Sequence, residues 1–290
     1  MRNEEEMMNL ILGTARQDER IRAVAMNGSR TNQKAPKDMF QDYDIVYIVK
    51  NVDSFIADKS WIDVFGERII MQTPDDNNMF PGEKRNRYAY LMQFMDGNRI
   101  DLTLLPLSEK DDYIKEDKLT IVLMDKDNIL PQQPLPTDED YWIKPPTAEY
   151  FAACCNEFWW VSTYVAKGLW RREILYAKKH LDDYVKDMLY KMLEWQVGIE
   201  TNFQVSAGKC DKYLEKYLSK ETWQKLISTF SGGSYEDTWS ALFSTCDLFR
   251  DTAKNVAEHF RYEYADQDDE RVTKYLRHVW ALKADAKEVY

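Results

Sequence analysis

Cysteine and histidine are both scarce in this sequence. The four cysteines, Cys154, Cys155, Cys210 and Cys246, contain no C-x-x-C pair, and the three histidines, His180, His259 and His278, are scattered. Neither a zinc site nor a disulfide framework is expected. Basic charge is in deficit, with 39 Lys and Arg against 50 Asp and Glu and a formal net charge of −11. A phosphate backbone demands clustered cations, so no nucleic-acid partner is expected, and the acidic balance leans toward a cationic ligand. No apolar run is long enough to cross a bilayer, and the opening MRNEEEMMNLILGTARQDER has acids where a secretory signal would have a basic end. A soluble cytoplasmic protein with no membrane partner is the expectation. No internal repeat or low-complexity segment stands out.

What is present is enough to fold. At 290 residues, 44% hydrophobic and 13% aromatic, the chain can bury a large core, and its length favours two domains. The spacing predicts a helix over 3–20, with Met7, Leu10, Ile11 and Ala15 near helical intervals, then a strand from Ile21 to Met26 entering Asn27-Gly28-Ser29. A second strand runs from Asp42 to Val49, followed by a helix from Val52 to Phe65, a short strand at Ile69–Met71 and a polar loop from Thr73 to Arg87. Asp96-Gly97-Asn98, between Tyr88–Met95 and Arg99–Leu105, is a hairpin signal, because Asp-Gly accepts the positive φ of tight turns. Prolines cluster in LPQQPLPTDEDYWIKPP and mark a boundary, giving domains 1–135 and 136–290. Everything beyond reads as helical. Its clearest helix is Arg172–Gly198, with Leu181, Val185, Met188, Met192 and Trp195 on one face and Gly198 as the stop.

The chemistry concentrates in AMNGSRTNQKAPKDMFQDYDIVYIV, Ala25–Val49. Side chains two apart on a strand share a face, so Asp42 and Asp44 stand side by side, and a hard divalent cation would relieve their repulsion. The spacing alone is uninformative, since it recurs at Asp125/Asp127, Asp138/Asp140 and Asp266/Asp268. Only the first pair heads an apolar, β-branched strand behind a Gly-Ser turn. On a later strand, Asp101, Thr103 and Leu105 share one face and Ile100, Leu102 and Leu104 the other. A carboxylate there needs a partner. Gly28 permits close approach of an anion, Ser29 adds a hydroxyl, and Arg30 or Lys34 adds charge.

This order, Gly28-Ser29, then Asp42-x-Asp44, then Asp101, resembles the nucleotidyltransferase fold of the polymerase β superfamily. The segment CNEFWWVSTYVAKGLWRREILYAKKHLDDYVKDMLYKMLEWQVG, Cys154–Gly198, resembles the helical region of aminoglycoside 6-adenylyltransferases, the streptomycin-modifying enzymes. The similarity covers nearly the whole chain. It implies an α+β fold, an N-terminal nucleotidyltransferase-fold domain with a mixed sheet and flanking helices followed by an all-helical, substrate-binding C-terminal domain. It also implies transfer of AMP from ATP to the 6-hydroxyl of streptomycin's streptidine ring, with release of pyrophosphate and resistance to the antibiotic. Asp42, Asp44 and Asp101 would hold magnesium. ATP is the co-substrate, with Gly28, Ser29, Arg30 and Lys178 as its candidate contacts.

A hydroxyl is a poor nucleophile, so a general base is sought on the helical half, and Asp182, one residue off the face carried by Leu181 and Val185, is the choice. The competing reading is an ion pair with Lys178 or Lys186 at helical spacing. Lys178 and Lys179 either reach phosphates or are solvated. Trp159, Trp160 and Trp170 read first as core, and Cys154-Cys155 as packing. Two rival functions share the same N-terminal site. One is a nucleotidyltransferase acting on RNA or on a protein hydroxyl, which the net charge disfavours for RNA. The other is an inactive nucleotide-binding module, which the full set of three aspartates argues against.

Overall fold

A computed structural model of the chain describes residues 1–77, 79 and 86–290. The chain divides into two compact units, Met1–Asp140 and Tyr141–Tyr290. In the first, helix α1 (Glu4–Gln17) is started by a capping box in which Asn3 and Glu6 exchange side-chain-to-backbone hydrogen bonds. Its stripe of Met7, Ile11 and Ala15 is fully buried, each larger member contributing roughly 1.5–3 kcal/mol of hydrophobic stabilisation. Strand β1 (Ile21–Asn27) follows, then a 3₁₀ turn at Gly28–Arg30, β2 (Tyr43–Val49), α2 (Asp53–Ile56), β3 (Arg68–Gln72), β4 (Tyr88–Phe94), β5 (Arg99–Pro106), α3 (Lys110–Glu116) and β6 (Ile121–Asp125).

The strands form one mixed sheet in the order β3-β4-β5-β2-β1-β6. β2 and β5 lie side by side in parallel at its centre; the other neighbours are antiparallel. Sequence β2, YDIVYIV, is buried on both faces, which is why it reads as a continuous apolar run without alternation. One face carries Val24, Ile45, Tyr47, Tyr90, Leu102 and Leu104 and packs with the stripe of α1. The other carries Ala25, Val46, Ile48 and Leu105, which pack with Tyr113 and Ile114 of α3. Leu105 thus shares the face of Asp101 and Thr103, as the alternation requires, and closes its apolar end.

Two expectations for this unit change. Asp42 lies just before β2 and outside it. The helix expected over Val52–Phe65 is two pieces, α2 and a 3₁₀ segment Lys59–Phe65, because Asp58 adopts an extended conformation and caps the second piece by accepting from the Ser60 amide. The expected polar loop from Thr73 to Arg87 includes a 3₁₀ turn at Pro74–Asp76, and its part at 78 and 80–85 lies outside the described residues.

The second unit is all helical. Its helices are α4 (Ala148–Trp170), α5 (Ile174–His180), α6 (Lys186–Glu200), α7 (Leu214–Tyr217), α8 (Lys220–Ile227), α9 (Tyr235–Phe260) and α10 (Asp266–Ala281). Their core is aromatic, with Phe158 and Phe249 stacked at 3.6 Å between centroids and Trp159 edge-on to both. Trp159 is core as expected, whereas Trp160 is 59% exposed. The helix expected over Arg172–Gly198 forms from Ile174 onward without a break, but it is not uniformly α: α5 and α6 run into one another through a π-helical turn, Leu181–Val185. Gly198 does not stop it. The helix runs on to Glu200 and ends at Asn202 and Phe203, both left-handed at φ 53° and 57°; Gly198 instead gives room to the Phe203 ring, which any β-carbon there would strike. Among the described residues no helix is long and apolar enough to cross a membrane.

Candidate functional site

Register brings the sheet's polar residues into one row. Asn27, Asp44, Asp101 and Leu91 are successive partners across β1, β2, β5 and β4, so their side chains project from one face. Gly28 opens the turn beside them at φ +75°, a conformation that favours glycine, and a β-carbon there would collide with Oδ2 of Asp44. The glycine is therefore what lets the Asp44 carboxylate lie against the backbone of the Gly-Ser turn. Asn27 is fixed from the far side, its amide donating to Thr120 Oγ1 (2.7 Å) and its carbonyl accepting from the Tyr113 hydroxyl.

Arg30 braces Asp42. Its Nε donates to the Asp42 carbonyl (3.0 Å), its Nη2 to the Gln41 carbonyl (2.9 Å), and its guanidinium lies 3.7 Å from the Tyr43 ring centre. Gln41 in turn donates to the carbonyl and hydroxyl oxygens of Ser29 at 3.3 and 3.4 Å, tying the Gly-Ser turn to the approach to β2. Lys34 donates to Asp138 at 2.8 Å.

Arg99, which the sequence reading passed over, stands among the carboxylates. Its Nε donates to Asp101 Oδ1 (2.7 Å) and its Nη2 to Asp101 Oδ2 (2.8 Å), a planar two-bond pair, and Nε also lies 3.6 Å from Asp42 Oδ2. The Asp101 hydrogen bonds, with the charges of Asp101, Asp42 and Asp44, hold the guanidinium's pKa above its ordinary value. The signal was in the sequence: Arg99 is two residues before Asp101 on the same strand face. Ile70, Met71, Gln72, Leu91 and Gln93 line a shallow cavity of about 460 Å³ beside it. Among the described residues no group of three or more His, Cys, Asp or Glu side chains is arranged to hold a metal ion. The donor set at this face nevertheless suits a hard divalent cation in kind, all carboxylate oxygen, with a glycine admitting one carboxylate to the turn.

In the helical unit, Asp182 sits on the π turn. Lys186 Nζ donates to its Oδ1 at 2.8 Å and Lys178 Nζ lies 3.5 Å from its Oδ2. Both pairings weighed from the sequence therefore form. The Lys186 side chain is only 3% exposed, and its ammonium lies 4.2 Å from the Phe230 ring centre; Lys178 also donates to Ser231 Oγ (2.8 Å). Lys179 pairs with Asp183 on the solvent side. A π turn widens the helix by one residue and recurs where a side chain is displaced for function, a feature with no local sequence signature. Three turns on, burial and the neighbouring Asp211 push the Glu194 carboxyl up to about 7, against the opposing charge of Lys191.

The streptomycin adenylyltransferase family model matches residues 1–279. The chain is 46% identical over 281 residues to an aminoglycoside 6-adenylyltransferase of Bacillus subtilis (strain 168), covering 97% of this chain and 99% of that protein. It is 44% identical over 276 residues to another from Campylobacter jejuni, covering 95% of each. The chain belongs to the streptomycin adenylyltransferase family. It is an adenylyltransferase, built from a nucleotidyltransferase-fold unit with a mixed sheet and an all-helical second unit. A crystal structure of an aminoglycoside 6-adenyltransferase from Bacillus subtilis, 42% identical, covers 97% of this chain and 100% of its own, with a TM-score of 0.49.

Proposed function

We propose that this adenylyltransferase moves AMP from ATP to the 6-hydroxyl of streptomycin's streptidine ring and releases pyrophosphate. Family membership supports the reaction class, and the observation that carries the reading is the single-face row of Asp44 and Asp101 beside the glycine turn that admits Asp44. The acceptor oxygen attacks the α-phosphorus, the bond to the bridging oxygen breaks, and the pyrophosphate leaves with its electron pair. Asp42, Asp44 and Asp101 would hold magnesium, which when bound supplies charge neutralisation for the triphosphate and acidifies the acceptor hydroxyl.

The rest falls to the chain's own groups. Gly28 and Ser29 offer the phosphates a backbone that can be approached closely and a hydroxyl donor. Arg30 keeps Asp42 in place through its carbonyl. Asp182 takes the proton from the acceptor hydroxyl; Lys178, which lies 3.5 Å from it, is the helical unit's contact for the phosphates of ATP. The domain roles follow: residues 1–135 are the catalytic domain and 136–290 the substrate-binding one. The acid excess of the chain suits an acceptor that carries guanidinium groups. Pyrophosphate release from ATP, measured with and without magnesium and with and without streptomycin, tests the reading. Release is expected only when all three are present; release that ignores streptomycin would contradict it.

A further inference from the structure

We infer that Arg99 is the resident counter-ion of the three carboxylates, a positioning residue that holds Asp101 until a divalent cation takes it over and that sets how tightly the ion binds. The inference rests on the magnesium reading of Asp42, Asp44 and Asp101 given above. Both oxygens of Asp101 are taken by Arg99, at 2.7 and 2.8 Å, in a planar arrangement that uses the in-plane lone pairs a metal ion would need. The same Nε lies 3.6 Å from Asp42, so one guanidinium spans a carboxylate from before β2 and one from β5. A guanidinium and a divalent cation cannot share those oxygens at these distances, since each would have the other's positive charge within a few ångströms.

Room for the exchange is present. Arg99 is itself one of the residues lining the shallow cavity with Gln93, Leu91, Gln72 and Ile70. Its side chain is 39% exposed and Asp101's is 22% exposed. The guanidinium can therefore leave Asp101 without unpacking the core, and leave it for a space walled by two amide side chains. The arrangement also accounts for how carboxylates on the two central strands coexist, their mutual repulsion offset by one guanidinium. Arg99 is two residues from Asp101 on β5, so the counter-ion and the ligand it covers share one face of the same strand.

The test is calorimetric titration of the full-length chain with Mg²⁺ alone, no nucleotide, comparing wild type with Arg99→Gln and Arg99→Lys. Mn²⁺ followed by electron paramagnetic resonance serves as a second probe of the same site. Removing the charge is expected to tighten ion binding about tenfold, the factor that about 1.4 kcal/mol produces. Arg99→Lys, which keeps the charge and loses the two-bond fork, is expected to fall between. Thermal melts give a readout independent of turnover: in EDTA the Gln variant melts below wild type, and Mg²⁺ raises its Tm more than it raises the wild type's. Ion binding by wild type with no tightening in Arg99→Gln overturns this inference and spares the metal reading. Failure of both proteins to bind either ion overturns the metal reading and this inference with it.

Discussion

Gly28 and Asp44 are coupled through a single contact. Gly28→Ala places a methyl where Asp44 Oδ2 lies and forces an L residue to hold φ +75°. The expected cost is roughly 1–3 kcal/mol of stability together with most of the turnover. Thermal melts and rate measurements on the pair Gly28→Ala and Gly28→Ala/Asp44→Ala check it: removing the carboxylate restores part of the lost stability and none of the activity. Asp42→Asn and Asp44→Asn, by contrast, change charge with no change of shape. Each is expected to lower turnover on the order of 100-fold or more with the fold intact, and near wild-type rates at saturating magnesium would remove the metal role. Glu194 makes a pH prediction. Its carboxyl is raised to about 7 by burial and by Asp211, so between its ordinary value and about pH 7 the folded chain binds more protons than the unfolded one, and its stabilising contribution is lost as pH rises through that window. Glu194→Gln is therefore expected to melt higher than wild type at pH 8, by about 2–4 °C for ~1 kcal/mol recovered, and to show no such gain at pH 5.

At the scale of elements, Asp182 lies on the π turn Leu181–Val185, between Lys178 and Lys186, each four residues away. Asp182→Asn preserves shape and cannot accept a proton, so it is expected to keep ATP binding by calorimetry while adenylyl transfer falls steeply; an unchanged rate returns Asp182 to an ion pair and nothing more. Much of this level was legible beforehand. The strands expected at Ile21–Met26 and Asp42–Val49 from apolar runs beside a glycine turn are found at Ile21–Asn27 and Tyr43–Val49, and the β4–β5 hairpin follows from Asp96-Gly97, whose glycine has φ 88°. What escaped has a physical reason in each case. β6, an edge strand half-buried at every position, shows no alternation to read. The π turn keeps Leu181 and Val185 on the buried face, so the periodicity passes over it unbroken. Gly198 looks like a stop and is a contact with Phe203 formed only in three dimensions. At the candidate site, alternation placed Asp44 and Asp101 each on a strand face, which the register then brings together, whereas Asp42 precedes the strand, and the burial of Lys186 against Phe230 joins positions too far apart in the chain for any local pattern to show.

For the whole molecule, the net charge of −11 should act on the encounter with a cationic acceptor. The KM for streptomycin is expected to rise severalfold between low and high ionic strength, with kcat nearly constant, because screening weakens steering and leaves the chemical step alone. Selectivity should follow hydrogen-bond geometry more than charge. Planar guanidinium groups take carboxylates two bonds at a time, whereas the ammonium groups of kanamycin do not, and a hydroxyl misplaced by about an ångström costs ~100-fold in rate. The most direct measurement is mass spectrometry of streptomycin, and of kanamycin beside it, after incubation with the full-length chain, ATP and magnesium. The account predicts one adenylyl group on streptomycin, located by fragmentation on the streptidine ring, and little or none on kanamycin. Unmodified streptomycin, under conditions in which ATP binds, would contradict it.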